Sequence, residues 1–253
     1  MSDQSSGIAS GLLAVACLLI GTVSPVPAQQ ASPISQGSDD IMDLTKAMIG
    51  LQQAGKHAEA LPLAERAAAL SEQSLGPDHQ TVAVYLDQLA WLHHLVGNRA
   101  KAEPLFKRAL AIQSQIKNGE HVAAAATSYK LALLYRAMGR DREAEKLMRQ
   151  AAAVRVKTLG PKHSGVATVV GSLAVLYQDQ GRYQKAEPLF VQALAIEENQ
   201  QGVLHPALKA TLERYAKLLR DTNRPEQATQ VETRAKAISG TSPSEASKEL
   251  SSR

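Results

Sequence analysis

Hydrophobic and polar positions along this chain follow two superimposed periods. The shorter is helical. Val82, Leu86, Leu89, Ala90 and Leu92 recur at steps of three and four, and so do Ala102, Leu105, Phe106, Ala109 and Ile112. Each set lies along one face of an α-helix. The spacing predicts one helix over about 80–96, a stop at Gly97, and a second helix over about 99–116. The longer period is 42 residues. The stretch 181–196, GRYQKAEPLFVQALAI, has counterparts at 139–154, 97–112 and 55–70, with a further one at 223–238. Five copies at one spacing, with no insertion between them, describe an array of stacked units rather than a single core.

Within each copy the residue types match the places they would occupy. Gly55, Gly97, Gly139 and Gly181 end the first helix of a unit, and Asn223, the next best residue for a left-handed backbone, ends the last. Alanines recur at Ala60, Ala102, Ala144, Ala186 and Ala228, and again seven residues on. Two alanines seven apart share a helix face and let a neighbouring helix approach closely, with Phe106, Met148 and Phe190 filling the volume between them. The prolines at Pro104 and Pro188 fall in the first turns of their helices, where loss of an amide donor costs least.

The order Val170, Leu173, Ala174, Tyr177, Gly181, Ala186, Phe190, Ala193 resembles the tetratricopeptide repeat. The 42-residue period, with LGPDH at 75–79 and LGPKH at 159–163, is similar to the kinesin-light-chain type of that repeat. The resemblance covers about 39–240 and implies an all-α, right-handed α-solenoid of five helix-turn-helix units, near 39–79, 80–121, 122–163, 164–205 and 206–240. The first helix is expected to start near Ser38, Asp39 and Asp40, which can cap it. Repeat 1 is degenerate, with Ala47 and Met48 in the Leu-Ala slots. In repeat 5, Glu232 and Lys236 replace apolar residues, as a terminal unit with no next neighbour requires.

In this family the first helix of each unit lines a concave surface that receives a protein or peptide. The resemblance therefore implies groove positions at Asp87, Trp91 and His94, at Tyr129, Leu133 and Arg136, at Val175 and Gln178, and at Glu213, Lys217 and Arg220. Trp91 is either an interface anchor or a residue packed on the neighbouring first helix. Arg136 and Arg220 either receive a partner's carboxylate or pair with a nearby Asp or Glu. Kinesin-light-chain-type repeats often carry paired asparagines before the Leu-Ala. Here Asp87-Gln88, Tyr129-Lys130, Gly171-Ser172 and Glu213-Arg214 stand there, which points to a partner-specific surface instead of a generic backbone clamp.

Charge adds little to this picture. Lys+Arg is 28 against Asp+Glu 24, and the two signs alternate along the helices, as in Glu143, Glu145, Lys146 and Arg149, the pattern of a solvated face. A nucleic-acid protein would cluster its basic residues on one face, so no nucleic-acid partner is expected. His79, His121, His163 and His205 stand 42 apart. Zinc ligands lie about 2 Å from the metal, whereas stacked helices sit about 8–10 Å apart. Adjacent rungs cannot share one ion, and each histidine is expected to close its turn or cap the next helix.

No catalytic motif is present. Glu197 and Glu198 are consecutive and diverge around their helix. The chain is therefore expected to be no enzyme, with no metal and no cofactor. A metal-dependent enzyme using the histidines is the distant alternative, and a self-associating subunit of an envelope complex is the nearer one.

The amino-terminal stretch bears on location. Residues 4–38 carry no charge, and 8–23 form a largely apolar run followed by SPVPAQQ. Val26 and Ala28 suit signal peptidase, so the expectation is a leader over 1–28 cleaved after Ala28, a polar linker over 29–38, and a periplasmic or secreted product. The run is shorter than the roughly 20 residues of a spanning helix, and no Lys or Arg precedes it; an uncleaved membrane anchor and a cytosolic chain are the alternatives. Cys17, the single cysteine, is either a small hydrophobe of that leader or a lipidation site. Without it the array holds no thiol and tolerates an oxidising compartment. The tail over 241–253 lacks apolar periodicity and is expected to be disordered.

Overall fold

The computed structural model describes residues 33–115, 121–201 and 207–240. The expected leader, Cys17, His205 and the 241–253 tail lie outside the described residues. The described residues from Gly37 on belong to one compact unit. Among the described residues there are ten α-helices and no strand: α1 Pro33–Gln53, α2 His57–Leu75, α3 Gln80–Leu95, α4 Arg99–Ser114, α5 His121–Ala137, α6 Asp141–Leu159, α7 Ser164–Asp179, α8 Tyr183–Gln201, α9 Ala207–Asp221 and α10 Pro225–Gly240. Helix α1 begins at Pro33, ahead of the cap expected at Ser38 to Asp40, so part of the expected linker is helical.

The closure between first and second helices repeats almost atom for atom. The residue after the left-handed position donates its amide to a carbonyl five residues back: Lys56 to Leu51 at 2.9 Å, Asn98 to His93 at 2.8 Å, Arg140 to Tyr135 at 2.9 Å, Arg182 to Tyr177 at 2.8 Å and Arg224 to Leu219 at 2.8 Å. This is the Schellman closure, which satisfies carbonyls that the helix end leaves free. Asn223, at φ 60°, adopts the conformation that Gly181 adopts at 69°, as expected of the residue chosen to replace glycine there.

Each helix contacts the next along the chain from α2 to α10. The recurrent alanines Ala102, Ala144, Ala186 and Ala228 are fully buried, and so are Phe106, Met148 and Phe190. One apolar cluster runs from Ala90 through Phe106, Met148 and Tyr177 to Leu218, so neighbouring units share a core. A second joins Ile41 and Met48 of α1 to Ala60 and Ala64 of α2 and to Tyr85 and Leu92 of α3. In the last unit Glu232, standing where Phe190 stands in the unit before, folds back onto Arg220 of α9 through two 2.7 Å hydrogen bonds.

Candidate functional site

Two of the histidines at the turns between units, His79 and His163, serve as caps. His79 Nδ1 accepts the Thr81 amide at 3.1 Å, and His163 Nδ1 accepts the Gly165 amide at 3.0 Å. Each satisfies one of the free amides at a helix start. Helix α5 starts at His121. Among the described residues no group of three or more His, Cys, Asp or Glu is placed to hold a metal ion. Glu197 and Glu198 diverge: Thr211 donates to Glu197 at 3.3 Å, and Glu198 pairs with Arg234 at 2.7 Å.

Successive first helices also lie side by side, α3 against α5 and α7 against α9. Their side chains join across a step of about one repeat. Lys130 of α5 donates to Asp87 of α3 at 2.5 Å. Tyr129 hydrogen-bonds Ser172 of α7 at 2.6 Å, and Arg136 donates to Asp179 at 3.1 Å. Gln178 of α7 donates to the Arg214 carbonyl of α9 at 3.1 Å. Polar bonds thus tie α3, α5, α7 and α9 into one face.

The groove positions fall on this face with different degrees of freedom. Trp91 is half-buried and packs against the shared core, with its ring 5.0 Å from that of His94 and the Lys130 ammonium 6.0 Å above it. His94 is held below its ordinary pKa by burial and then by the nearby Arg99 charge, so the neutral ring is favoured. Asp87 uses Oδ2 for Lys130, while its Oδ1 is buried with no hydrogen-bond partner. Gln178 is buried, and Leu133 and Val175 border the core. Arg136, Lys217 and Arg220 already have acidic partners, at Asp179, Asp221 and Glu232. Glu213 is exposed and 3.9 Å from Lys209.

Between α7 and α9 the face opens into a hollow of about 320 Å³. Gly171 occupies there the slot that Thr45, Asp87, Tyr129 and Glu213 fill in the other units. The lining includes Thr168, Ser172 and Thr211, with Arg136 and Arg214 as cations and Glu197 as the acid.

The charge pattern needs a correction. Glu145, expected on a solvated face, lies between units: it accepts the Tyr177 hydroxyl at 2.7 Å and Arg182 at 2.8 Å. Glu103 accepts Tyr135 at 3.1 Å and Arg140 at 2.8 Å. Glu187 accepts Tyr215 at 3.3 Å and both Arg224 nitrogens, at 2.7 and 2.8 Å. The guanidinium of Arg140 also lies 4.0 Å from the Tyr135 ring, and that of Arg182 lies 4.4 Å from the Tyr177 ring. This Glu–Arg–Tyr clasp joins the second helix of one unit to the first helix and turn of the next.

The Lys107 hydrogen bond, opposed by burial and aided by Arg140 and Tyr135, holds the Glu103 carboxyl down at about 2. For Glu145, burial pushes the pKa up, but Tyr177 and Arg182 outweigh it and the net direction is down. The signal was readable in the sequence, since Glu103, Glu145 and Glu187 are spaced by 42, as are Arg140, Arg182 and Arg224. The first interface has no clasp: Leu61, Asn98 and His93 occupy the three slots. His93 is buried there, 4.0 Å from Glu65, with Nδ1 unpartnered.

A tetratricopeptide repeat family model matches residues 49–115, 123–199 and 165–239. The nearly identical repeats of a predicted kinesin light chain from Podosopora anserina superimpose with a TM-score of 0.66 at 26% identity, covering 83% of this chain and 97% of that one. BtubC from P. vanneervenii gives 0.67 at 22% identity, with 83% and 92% covered. Aspartyl phosphate phosphatase F from Bacillus subtilis gives 0.70 at 12% identity, with 81% and 52% covered, a likeness of fold alone. No curated protein sequence matched.

Proposed function

Because the chain belongs to the tetratricopeptide repeat family, we propose that it is a non-catalytic scaffold that captures a protein or peptide partner on the face formed by α3, α5, α7 and α9. The observation that carries this reading is the side-by-side register of those helices, tied by Asp87–Lys130, Tyr129–Ser172 and Arg136–Asp179. Such a face is pre-organised, so a partner does not have to order it on binding. Trp91 stands on it half-buried beside a cation, as interface anchors do. By contrast the second helices spend their apolar stripes on the inter-unit core.

The test is photo-crosslinking in the native extract, with a crosslinking residue at position 91 or at position 191. Val191 lies on α8, a second helix, and is half exposed. Partner adducts from position 91 and none from 191 are the expected result. Adducts from 191 alone would move the binding surface to the second helices.

The same proposal places the working protein outside the cytoplasm. It rests on the uncharged 4–38 stretch, its apolar run and the small residues Val26 and Ala28. Amino-terminal sequencing of the protein recovered from cells is expected to start at Gln29; a chain retaining the apolar run would refute cleavage.

A further inference from the structure

The hollow between α7 and α9 contains an imbalance of charge. Glu197 Oε1 receives one hydrogen bond, from Thr211 at 3.3 Å, while Oε2 is buried with no partner. A buried carboxylate oxygen without a donor is costly, and a cation or N–H group brought to it recovers that cost. Burial pushes the Glu197 carboxyl up, against the Thr211 bond and with the Glu198 charge adding to the rise. Arg214, also lining the hollow, is exposed, and no described residue pairs with its guanidinium. Arg136 lines it too, holding Asp179 by a single bond.

The lining residues on α7 run from Ala167 to Val175, two helical turns or about 12 Å. Glu197, bonded to Thr211 in the second turn of α9, belongs to the Ala167 end; Arg214 follows about one turn further along α9. A carboxylate lacking a cation and a guanidinium lacking an anion thus share one hollow. Gly171, where the other units carry Thr, Asp, Tyr or Glu, leaves the space unfilled.

We propose that this hollow is the seat for a lysine or arginine side chain of the bound partner, whose cationic tip meets Glu197 while a neighbouring acidic residue of the partner meets Arg214. The inference rests on the binding face proposed above and names the chemistry of its ligand. Neighbouring residues of an extended peptide are about 3.3 Å apart, so a basic and an acidic residue two positions apart, both side chains on one face, reach the two groups together. An all-acidic segment would satisfy Arg214 but leave Glu197 unpaired and repelled. An apolar segment would leave both unpaired.

The experiment titrates the isotope-labelled full chain with capped alanine-based peptides and follows the amide resonances of Thr168, Gly171 and Thr211. The probe carries one lysine and, two residues on, one glutamate; its controls replace lysine by norleucine or glutamate by glutamine. The lysine–glutamate peptide is expected to bind, and the norleucine control to bind about 10-fold or more weaker, as for removal of one partner of a desolvated charge pair. Glu197→Gln should weaken the lysine peptide by a similar factor and leave the norleucine peptide unchanged. Acidification should release the lysine peptide as Glu197 takes up a proton. Equal affinity for the norleucine control, or unchanged lysine-peptide affinity in Glu197→Gln, overturns the proposal. A native partner that still crosslinks from position 91 in Glu197→Gln, at unchanged affinity, would retain the face and discard the hollow as its seat.

Discussion

Removing the central clasp at Glu145 tests whether the array is held by polar bonds as well as by its shared apolar core. The Glu145→Ala variant deletes the acceptor of two charge-assisted hydrogen bonds, from Tyr177 at 2.7 Å and Arg182 at 2.8 Å. Each such bond contributes about 1.5–3 kcal/mol in a desolvated setting. The Tyr177 side chain is 2% exposed, so its share stays near that range. Arg182 is 35% exposed, and its share falls toward the roughly 0–1 kcal/mol of a surface pair. The expected loss is about 2–4 kcal/mol.

A double-mutant cycle with Tyr177→Phe isolates the shared bond, with an expected coupling of about 1–2 kcal/mol. Urea unfolding is followed by far-ultraviolet circular dichroism for the whole array. Trp91, the single tryptophan, reports locally on the second unit and its contact with α5. Parting of the two transitions would show that α6 and α7 have become a breakpoint, as the nearest-neighbour energetics of repeat arrays allow. A loss below about 0.5 kcal/mol, the size of an ordinary surface substitution, or a coupling of zero would refute the clasp as a structural element.

Three further outcomes follow from the same geometry. Burial holds the His93 pKa below 6.5, with Glu65 opposing and Lys101 assisting; stability should therefore fall as pH drops below about 6.5, because the unfolded chain takes the proton first. His93→Phe should flatten urea midpoints over that window, while the loss below pH 4.5, where the clasp carboxylates with lowered pKa values protonate, should persist. Phe190→Ala, at a side chain 1% exposed, should cost about 3–5 kcal/mol by thermal or urea melting; a cost under about 1 kcal/mol would mean the core there relaxes freely. Asn223→Ala should cost about 1 kcal/mol, because its φ of 60° strains any residue with a plain Cβ, and Asn223→Gly should recover that loss.

The helix pairs were legible in the sequence because packing in a repeat array is a local matter. A 42-residue step carries each alanine, phenylalanine and turn residue onto an equivalent neighbour, so one repeat predicts the next. The cap role of His79 and His163 follows in the same way. The charged positions were harder to read. Glu145 follows the same alternation as exposed Lys146, and only its position one turn from Arg149, facing the next unit, separates it from a solvated residue. Tyr215 is a sharper case. It stands one helical turn before the slot of Tyr135 and Tyr177, in the place of Leu173, while Leu219 takes the tyrosine slot. Residues four apart share a helix face, so its hydroxyl still reaches Glu187. A strict 42-residue alignment misses that contact.

The candidate site divides along the same line. Which residues stand on the first-helix face could be counted from the repeat, and the resemblance placed Trp91, Tyr129 and Arg136 there. Which of them are engaged could not, because Arg136 with Asp179 and Arg220 with Glu232 are pairings made between helices. By itself the sequence determined the architecture: the period, the turn chemistry and the small residues at the helix contacts leave a stacked array as the only arrangement that buries every apolar stripe. The tertiary structure decided the chemistry of the surface, since a side chain's partner and burial depend on helices 40 residues away. Only there do Glu145, Arg182 and Tyr177 become one clasp, and only there does Glu197 become a half-buried acid with one buried oxygen left over.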